Sequence, residues 1–310
     1  MNNIKRKIAI LTASRSEAGL LDPIIRSAVR HEGLDTSLIK LNPHATASEF
    51  IIDLLGKYLD EGPFDLVLIP TDRVEMALAA MATYYHGFPI VHYLGGSSFT
   101  GTWDDLNRRV ISSYAYYIFC EDTNAAMRLK NTGEEDWRIV VTGTTHFDGL
   151  VIDESECPKG VYDLVLVNPN PIDRGDTIKS VVQALEAITE TGNFVWIEPN
   201  EDLGREMIRV AGIDMLSFPR PKFLGLLKNC RKFITNSSAG KYEAPFFEKE
   251  VIWVGSRNRE RAVQQHTTYS QLQYTPEPTW NYKVSTGIVS LLATLPIDKS
   301  KMLKRYYDRV

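Results

Sequence analysis

The sequence predicts two α/β lobes, each a parallel sheet wound on both faces by helices. Three observations carry this. Short β-rich apolar runs alternate with longer stretches of helical spacing. Two of the runs, Asp65-Leu-Val-Leu-Ile and Arg138-Ile-Val-Val-Thr, are continuously apolar rather than alternating, as strands covered on both faces are. The rhythm stops at the polar stretch 151–162, VIDESECPKGVY, and then restarts.

In the first half the strand-like runs are Lys7–Thr12, Asp65–Pro70, Pro89–Leu94, Tyr116–Cys120 and Arg138–Gly143. Helical spacing fills the gaps, over Gly19–Arg30, Ala47–Leu59, Glu75–Tyr85, Leu106–Tyr114 and Thr123–Leu129. In the second half strands are expected at Asp163–Asn168, Asn193–Glu198, Asp214–Phe218, Arg231–Thr235 and Glu250–Gly255. Helices are expected at Thr177–Thr189, Leu203–Ala211 and Phe223–Lys228. An amphipathic stretch, Val284–Leu295, closes the chain. The expected division is a first lobe over 1–155, a second over 156–280, and a helical tail over 281–310 that crosses back to the first.

Composition narrows the function. The chain has 310 residues, 44% of them hydrophobic and 24% charged, which suits a packed core and excludes disorder as the main state. A net charge of −4 gives no general pull toward nucleic acid or an anionic membrane. Cys120, Cys157 and Cys230 lie too far apart for a metal-binding pair, and a sparse, odd count fits free thiols in a reducing compartment. The apolar stretch near the start, Ile8 to Leu11, is too short for a secretory signal and reads as a strand. No window approaches a membrane span, so the cytoplasm is the expected location.

Ligands favour the carboxyl ends of parallel strands, so chemistry is sought in those loops. Thr12-Ala-Ser-Arg15-Ser-Glu-Ala-Gly19 joins strand to helix. It reads as an ordinary turn with a surface arginine, or as an anion site in which Arg15 adds a planar donor set. No Gly-x-Gly-x-x-Gly occurs there, which disfavours a nicotinamide dinucleotide. Asp72 and Arg73 end a buried strand. Asp72 is either an acid–base or hydroxyl-fixing group or the cap of the next helix.

The loop Gly95-Gly-Ser-Ser-Phe-Thr-Gly-Thr-Trp-Asp104-Asp105 shows no packing reason for its glycines, which points to ligand contact. His92, inside the strand run, reads as a core histidine. Thr235-Asn236-Ser237-Ser238-Ala-Gly240-Lys241-Tyr-Glu243 offers hydroxyls and backbone N–H groups at an expected helix start. That is a cradle for a diphosphate, with Glu243 one turn on as an acceptor for ribose; a helix cap fits the same residues. Arg257, Arg259 and Arg261 follow another strand, as a solvated charge run or an anion contact.

Together these segments resemble the UDP-N-acetylglucosamine 2-epimerase family, most closely its hydrolysing, sialic-acid-pathway branch. Leu11–Arg15 looks like that family's opening Thr-x-x-Arg segment. Thr71-Asp72-Arg73-Val74-Glu75 looks like Gly-Asp-Arg-x-Glu. His92 through Asp105 is similar to His-x-x-Gly-Gly-x-x-x-x-Gly-Thr-x-Asp-Asp, and Asn236 through Pro245 to Asn-Ser-Ser-x-Gly-x-x-Glu-Ala-Pro.

The resemblance implies two Rossmann-like lobes facing a cleft, the arrangement called GT-B. It implies an elimination in which a base removes the C2 proton of a UDP-N-acetylhexosamine while UDP leaves C1. It places Arg15, Ser237 and Ser238 at the diphosphate, Gly240 among the nucleotide-binding residues, Glu243 at the ribose, Arg257 near the nucleotide and Asp72, beside Arg73, at the proton chemistry. It implies a UDP-sugar as the partner molecule, a homodimer as the assembly to look for, and no cofactor.

Three family acid–base groups are replaced, by Leu94, Ser97 and Asn170, and a glycine by Thr71. Asp173 and His146 are the candidates to take over. A UDP-sugar-dependent glycosyl transfer, or UDP-sugar binding with weakened catalysis, stands as the alternative.

Overall fold

In a computed structural model, residues 5–13, 15–42, 46–97, 104–188, 192–200, 203–209, 212–258 and 284–304 are described, the side chains of Arg15, Ser16 and Leu59 excepted. The strands are β1 (Arg6–Thr12), β2 (Leu34–Lys40), β3 (Leu66–Pro70), β4 (Ile90–Tyr93), β5 (Tyr117–Cys120) and β6 (Ile139–Val141) in the first of two compact units, and β7 (Asp163–Leu166), β8 (Phe194–Trp196), β9 (Lys232–Thr235) and β10 (Glu250–Trp253) in the second. The described residues up to Gly149 form the first unit together with the C-terminal segment, and Leu150 opens the main stretch of the second. Residues 148–162 carry no helix or strand.

The first sheet has the order β2-β1-β3-β4-β5-β6, every pairing parallel. Its inner strands β1, β3, β4 and β5 are buried on both faces, but the continuous run at Ile139–Val141, expected to be covered on both faces, is an edge strand with no fully buried residue. Ile8 and Ile10 pack into one apolar layer, and Ala9 and Leu11 into the other. Helix α1 (Arg15–Val29) crosses one face on the way to β2. The chain then reverses direction across the sheet, so α2 (Ala47–Glu61), α3 (Val74–Tyr85), α4 (Asp104–Tyr114) and α5 (Thr123–Asn131) pack on the opposite face.

That leaves one face covered by α1 alone. The C-terminal helix Val284–Thr294 fills the remainder, packing Ile288, Val289 and Leu292 with Tyr93, Tyr117 and Phe119. Asp148 fixes its start, accepting from the N–H groups of Val284 and Ser285 at 3.2 and 2.6 Å.

The second sheet has the order β10-β9-β7-β8, also parallel. Helix α6 (Arg174–Ile188) covers one face through Val181, Ala184 and Ile188, with Ile208 of α7 (Arg205–Arg209) beside it. Helix α8 (Arg220–Asn229) covers the other through Leu226 and Leu227.

Two further expectations need correction. Leu34–Lys40 is a strand that the apolar pattern does not announce. It lies at the sheet edge, where only Leu34 and Ile39 are buried, so its sequence stays mixed. The strand expected at Asp214–Phe218 shrinks to a single bridge, Leu216 to Ile197.

Among the described residues no helix is long and apolar enough to cross a membrane.

Candidate functional site

In a doubly wound sheet the loops at the switch in strand order diverge and leave a crevice. In the first unit the switch falls between β1 and β3, whose loops carry Arg15 and Asp72. In the second it falls between β7 and β9, whose loops carry Asn168 to Asn170 and Asn236 to Ser238.

The first-unit loops are held under strain. Thr71 has φ 60°, in the left-handed region that disfavours a branched side chain. All of its polar groups are tied. Its N–H donates to Tyr93 O at 2.9 Å, its hydroxyl to Glu17 Oε1 at 3.0 Å, and its carbonyl accepts from His92 Nε2 at 2.7 Å. Glu17 is buried and also accepts from Ala13 N–H at 3.0 Å, so one carboxylate clamps the loops after β1 and β3 together.

His92 is fully buried, and burial pushes its imidazole down to about 4. It is therefore neutral. Thr71 O can only accept, so Nε2 carries the proton and Nδ1 accepts from Ser112 Oγ at 2.8 Å. Ser112 O in turn receives Lys304 Nζ at 2.6 Å, which also reaches Glu134 Oε2 at 2.5 Å. Burial pulls the Lys304 ammonium down to about 8.

This scaffold aims Asp72. The cap position of α3 belongs to Arg73, and the Asp72 carboxylate instead pairs with Arg108 of α4. Arg108 is almost wholly buried, donates to Ser97 O at 2.9 Å, and lies 3.7 Å from Asp105. The Arg73 guanidinium turns to Glu75, at 3.1 and 3.2 Å.

The glycine-rich loop does have packing reasons, contrary to expectation. A Cβ on Gly96, which has φ 79°, would fall 2.5 Å from Ala125 O, and one on Gly95 would fall 2.4 Å from an Ile118 methyl. Leu94 has φ 66° and lies buried in the apolar layer. Residues 98–103 lie outside the described residues.

In the second unit carboxamides stitch the loops together. Asn236 Oδ1 accepts from Asn168 N–H at 2.7 Å, and Asn236 Nδ2 donates to Asn168 O at 2.8 Å. Asn168 Oδ1 accepts from Asn200 N–H at 3.0 Å, and the Asn258 side chain donates to Asn236 O. Four loops are thus fixed by carboxamides.

The expected helix start after β9 is instead a 3-10 turn, Ser238–Gly240, followed by the one-turn helix α9 (Glu243–Phe246). The backbone donors of Ser237, Ala239, Gly240 and Lys241 serve the turn itself. Ser237 N–H goes to Thr235 Oγ1 at 2.9 Å, Gly240 N–H to Ser237 O at 3.1 Å, and Lys241 N–H to Ser238 O at 2.9 Å. Ser237 Oγ accepts from Ala239 N–H at 3.3 Å and keeps its own proton to donate. Hydroxyls, rather than a helix dipole, are what this loop offers an anion.

Gly240 is a packing glycine, since a Cβ there would come 2.8 Å from the Trp253 ring and 2.9 Å from a Thr235 methyl. Glu243 is buried and pairs with Arg220 at 3.3 Å.

The other expected residues are dispersed. Arg15 opens α1, but its side chain lies outside the described residues, as do Arg259 and Arg261. Arg257 is buried in the loop after β10. Asp173 is exposed and spends its carboxylate on capping α6 through Asp176 N–H at 3.1 Å. Asn170 Oδ1 accepts from Ile172 and Asp173 N–H at 3.1 and 3.2 Å. His146 follows β6 at the far sheet edge, bound through Nδ1 to the Thr144 hydroxyl.

Sequence reading passed over Glu17, Arg108, Asn168 and Asn258. A polar residue just past a continuously apolar strand run was the available signal for Asn168. For Arg108 it was the three-residue spacing from Asp105 on one helix face.

Comparison with known proteins closes the identification. A family model described as UDP-N-acetylglucosamine 2-epimerase matches residues 36–277. A UDP-N,N'-diacetylbacillosamine 2-epimerase (hydrolyzing) of Legionella pneumophila is 28% identical, with 83% of each chain covered. A UDP-N-acetylglucosamine 2-epimerase of Neisseria meningitidis serogroup B is 27% identical over 79% of this chain and 71% of its own.

Among solved structures, the UDP-GlcNAc 2-epimerase from Neisseria meningitidis bound to UDP-GlcNAc superposes with a TM-score of 0.73 at 16% identity, covering 92% of this chain and 99% of that one. That of Methanocaldococcus jannaschii, in complex with UDP-GlcNAc and UDP, gives 0.71 at 19% identity with the same coverage. These likenesses give the fold. The family match spans most of the chain and includes both switch loops of the second unit, so the chain belongs to the UDP-N-acetylglucosamine 2-epimerase family.

Proposed function

We infer that this chain eliminates UDP from a UDP-N-acetylhexosamine with inversion at C2, and that water closes the reaction. The family match over residues 36–277 carries this reading. The hydrolysing relative from Legionella pneumophila supports the water-consuming form and puts a 2,4-diacetamido sugar among the substrates to try.

The C2 proton is not adjacent to a carbonyl, so the barrier is high. The enzyme must hold the leaving diphosphate and place a base. The hydroxyls of Ser237 and Ser238 are assigned to the diphosphate, with Asn168, Asn236 and Asn258 keeping their loop fixed. Arg15 and Arg257 are assigned as its cationic contacts, and Glu243, neutralised by Arg220, to the ribose. Asp72, held by Arg108, is assigned to the C2 proton.

Incubating the protein with UDP-N-acetylglucosamine and with UDP-N,N'-diacetylbacillosamine in deuterated water tests this. The expected products are free UDP and a 2-epimeric sugar labelled at C2. Neither UDP release nor label from either substrate would end the reading.

A further inference from the structure

Inverting C2 takes a proton from one face of the sugar ring and delivers one to the other. Asp72 serves one face. Of the described side chains between β4 and α4, Leu94 moves no proton, the Ser97 hydroxyl is a poor acid, and the Asp105 carboxylate is engaged by Arg108 and Arg109 at 3.7 and 3.0 Å. The loop after β5 supplies the missing chemistry. Glu121 directly follows the last residue of that strand and is half-buried.

The Ser97 hydroxyl donates to Glu121 Oε1 at 2.7 Å. The Ser97 carbonyl accepts from Arg108 Nη1 at 2.9 Å, and Arg108 Nη2 pairs with Asp72. One serine and one guanidinium therefore link the two carboxylates. Strand register aligns them independently. Pro70 pairs with Tyr93, and Tyr93 with Phe119, so β3, β4 and β5 end side by side. Two strand spacings set the loops bearing Asp72 and Glu121 roughly 10 Å apart on the same end of the sheet.

We propose that Glu121 is the second proton carrier of the reaction, working across the sugar ring from Asp72. This rests on the function inferred above. One carboxylate takes the C2 proton, the C–H electron pair becomes the C1=C2 bond, and the C1–O pair leaves with UDP. The other, as the acid, protonates C2 on the opposite face. Water bonds to C1 and gives its proton to the carboxylate just emptied.

The test uses the full chain. Glu121→Gln preserves the acceptor for Ser97 but carries no exchangeable acid. It is expected to lower kcat for UDP release by about 10²–10⁴-fold, with an unchanged Kd for UDP and an unchanged thermal midpoint. Glu121→Ala is expected to regain at least tenfold in kcat with added formate, which a merely loop-holding residue would not show. A Glu121→Gln variant as fast as a working wild type, or a Glu121→Ala variant that formate does not rescue, overturns this inference alone. A wild type without turnover removes both it and the function beneath it.

Discussion

The two sets of strand-end loops solve opposite problems with opposite chemistry. In the second unit Asn168, Asn200, Asn236 and Asn258 bind backbone to carboxamide, and the hydroxyl-bearing turn at Ser237 hangs from that lattice. The lattice itself is uncharged and internally hydrogen-bonded, with buried Arg257 next to Asn258. In the first unit Glu17 and His92 hold Thr71 at positive φ next to the Asp72–Arg108 pair, and Leu94 is at positive φ as well. This set is charged and strained. A binding surface for a charged diphosphate gains from fixed neutral donors that need no reorganisation. A proton-moving surface needs titratable groups kept at set positions, and strain marks where the fold enforces them.

Four substitutions probe that contrast. Asp72→Asn removes a proton acceptor from the strained set without changing its size. It is expected to cost about 10²–10⁴-fold in kcat while calorimetric binding of UDP stays as in the wild type. Equal losses in both would erase the division of labour. Asn236→Ala cuts the neutral lattice and leaves Asn168 N–H and O buried without their partner. At about 1–3 kcal/mol for each orphaned group, a loss of about 3 kcal/mol in urea unfolding is expected, together with weaker UDP binding.

The third change concerns pH. The His92 imidazole is held at about 4 against an ordinary 6.5, so between those values the unfolded chain binds a proton that the folded one refuses. Its contribution is intact above 6.5 and is lost as pH falls toward 4, up to about 3 kcal/mol. His92→Gln is expected to flatten that limb of the stability profile, and an unchanged limb would assign it to the carboxylates. The smallest effect is expected from Asp148→Ala, which uncaps the C-terminal helix and should lower stability by about 1 kcal/mol with kcat unchanged.

The alternation of buried strands and helices was legible because a doubly covered strand has no polar face. The run at β3 reads Leu-Val-Leu-Ile-Pro and is buried throughout. The edge strand β2 was not legible, since burial there selects only two of its residues. At the site, the motif-bearing residues Asp72, Ser237 and Glu243 stood out, but what they touch did not.

Arg108 reaches Asp72 across 36 positions and Asn236 reaches Asn168 across 68, which no local pattern encodes. The glycines misled for a related reason. Gly95, Gly96 and Gly240 are small because Ile118, Ala125 and Trp253 come to them from distant segments, so a feature that looks like room for a ligand is room for the protein itself.

The late return of Val284–Thr294 orders events on the ribosome. The face formed by Tyr93, Tyr117 and Phe119 is made early but is not covered until that helix emerges. At about 5–20 residues per second, the segment from Leu150 onward takes roughly ten to thirty seconds to synthesise. For that interval, in which β7 to β10 are themselves being made, the first-born unit carries an open oily flank. One apolar face of the first unit is thus completed by a helix that is made only after the whole second sheet.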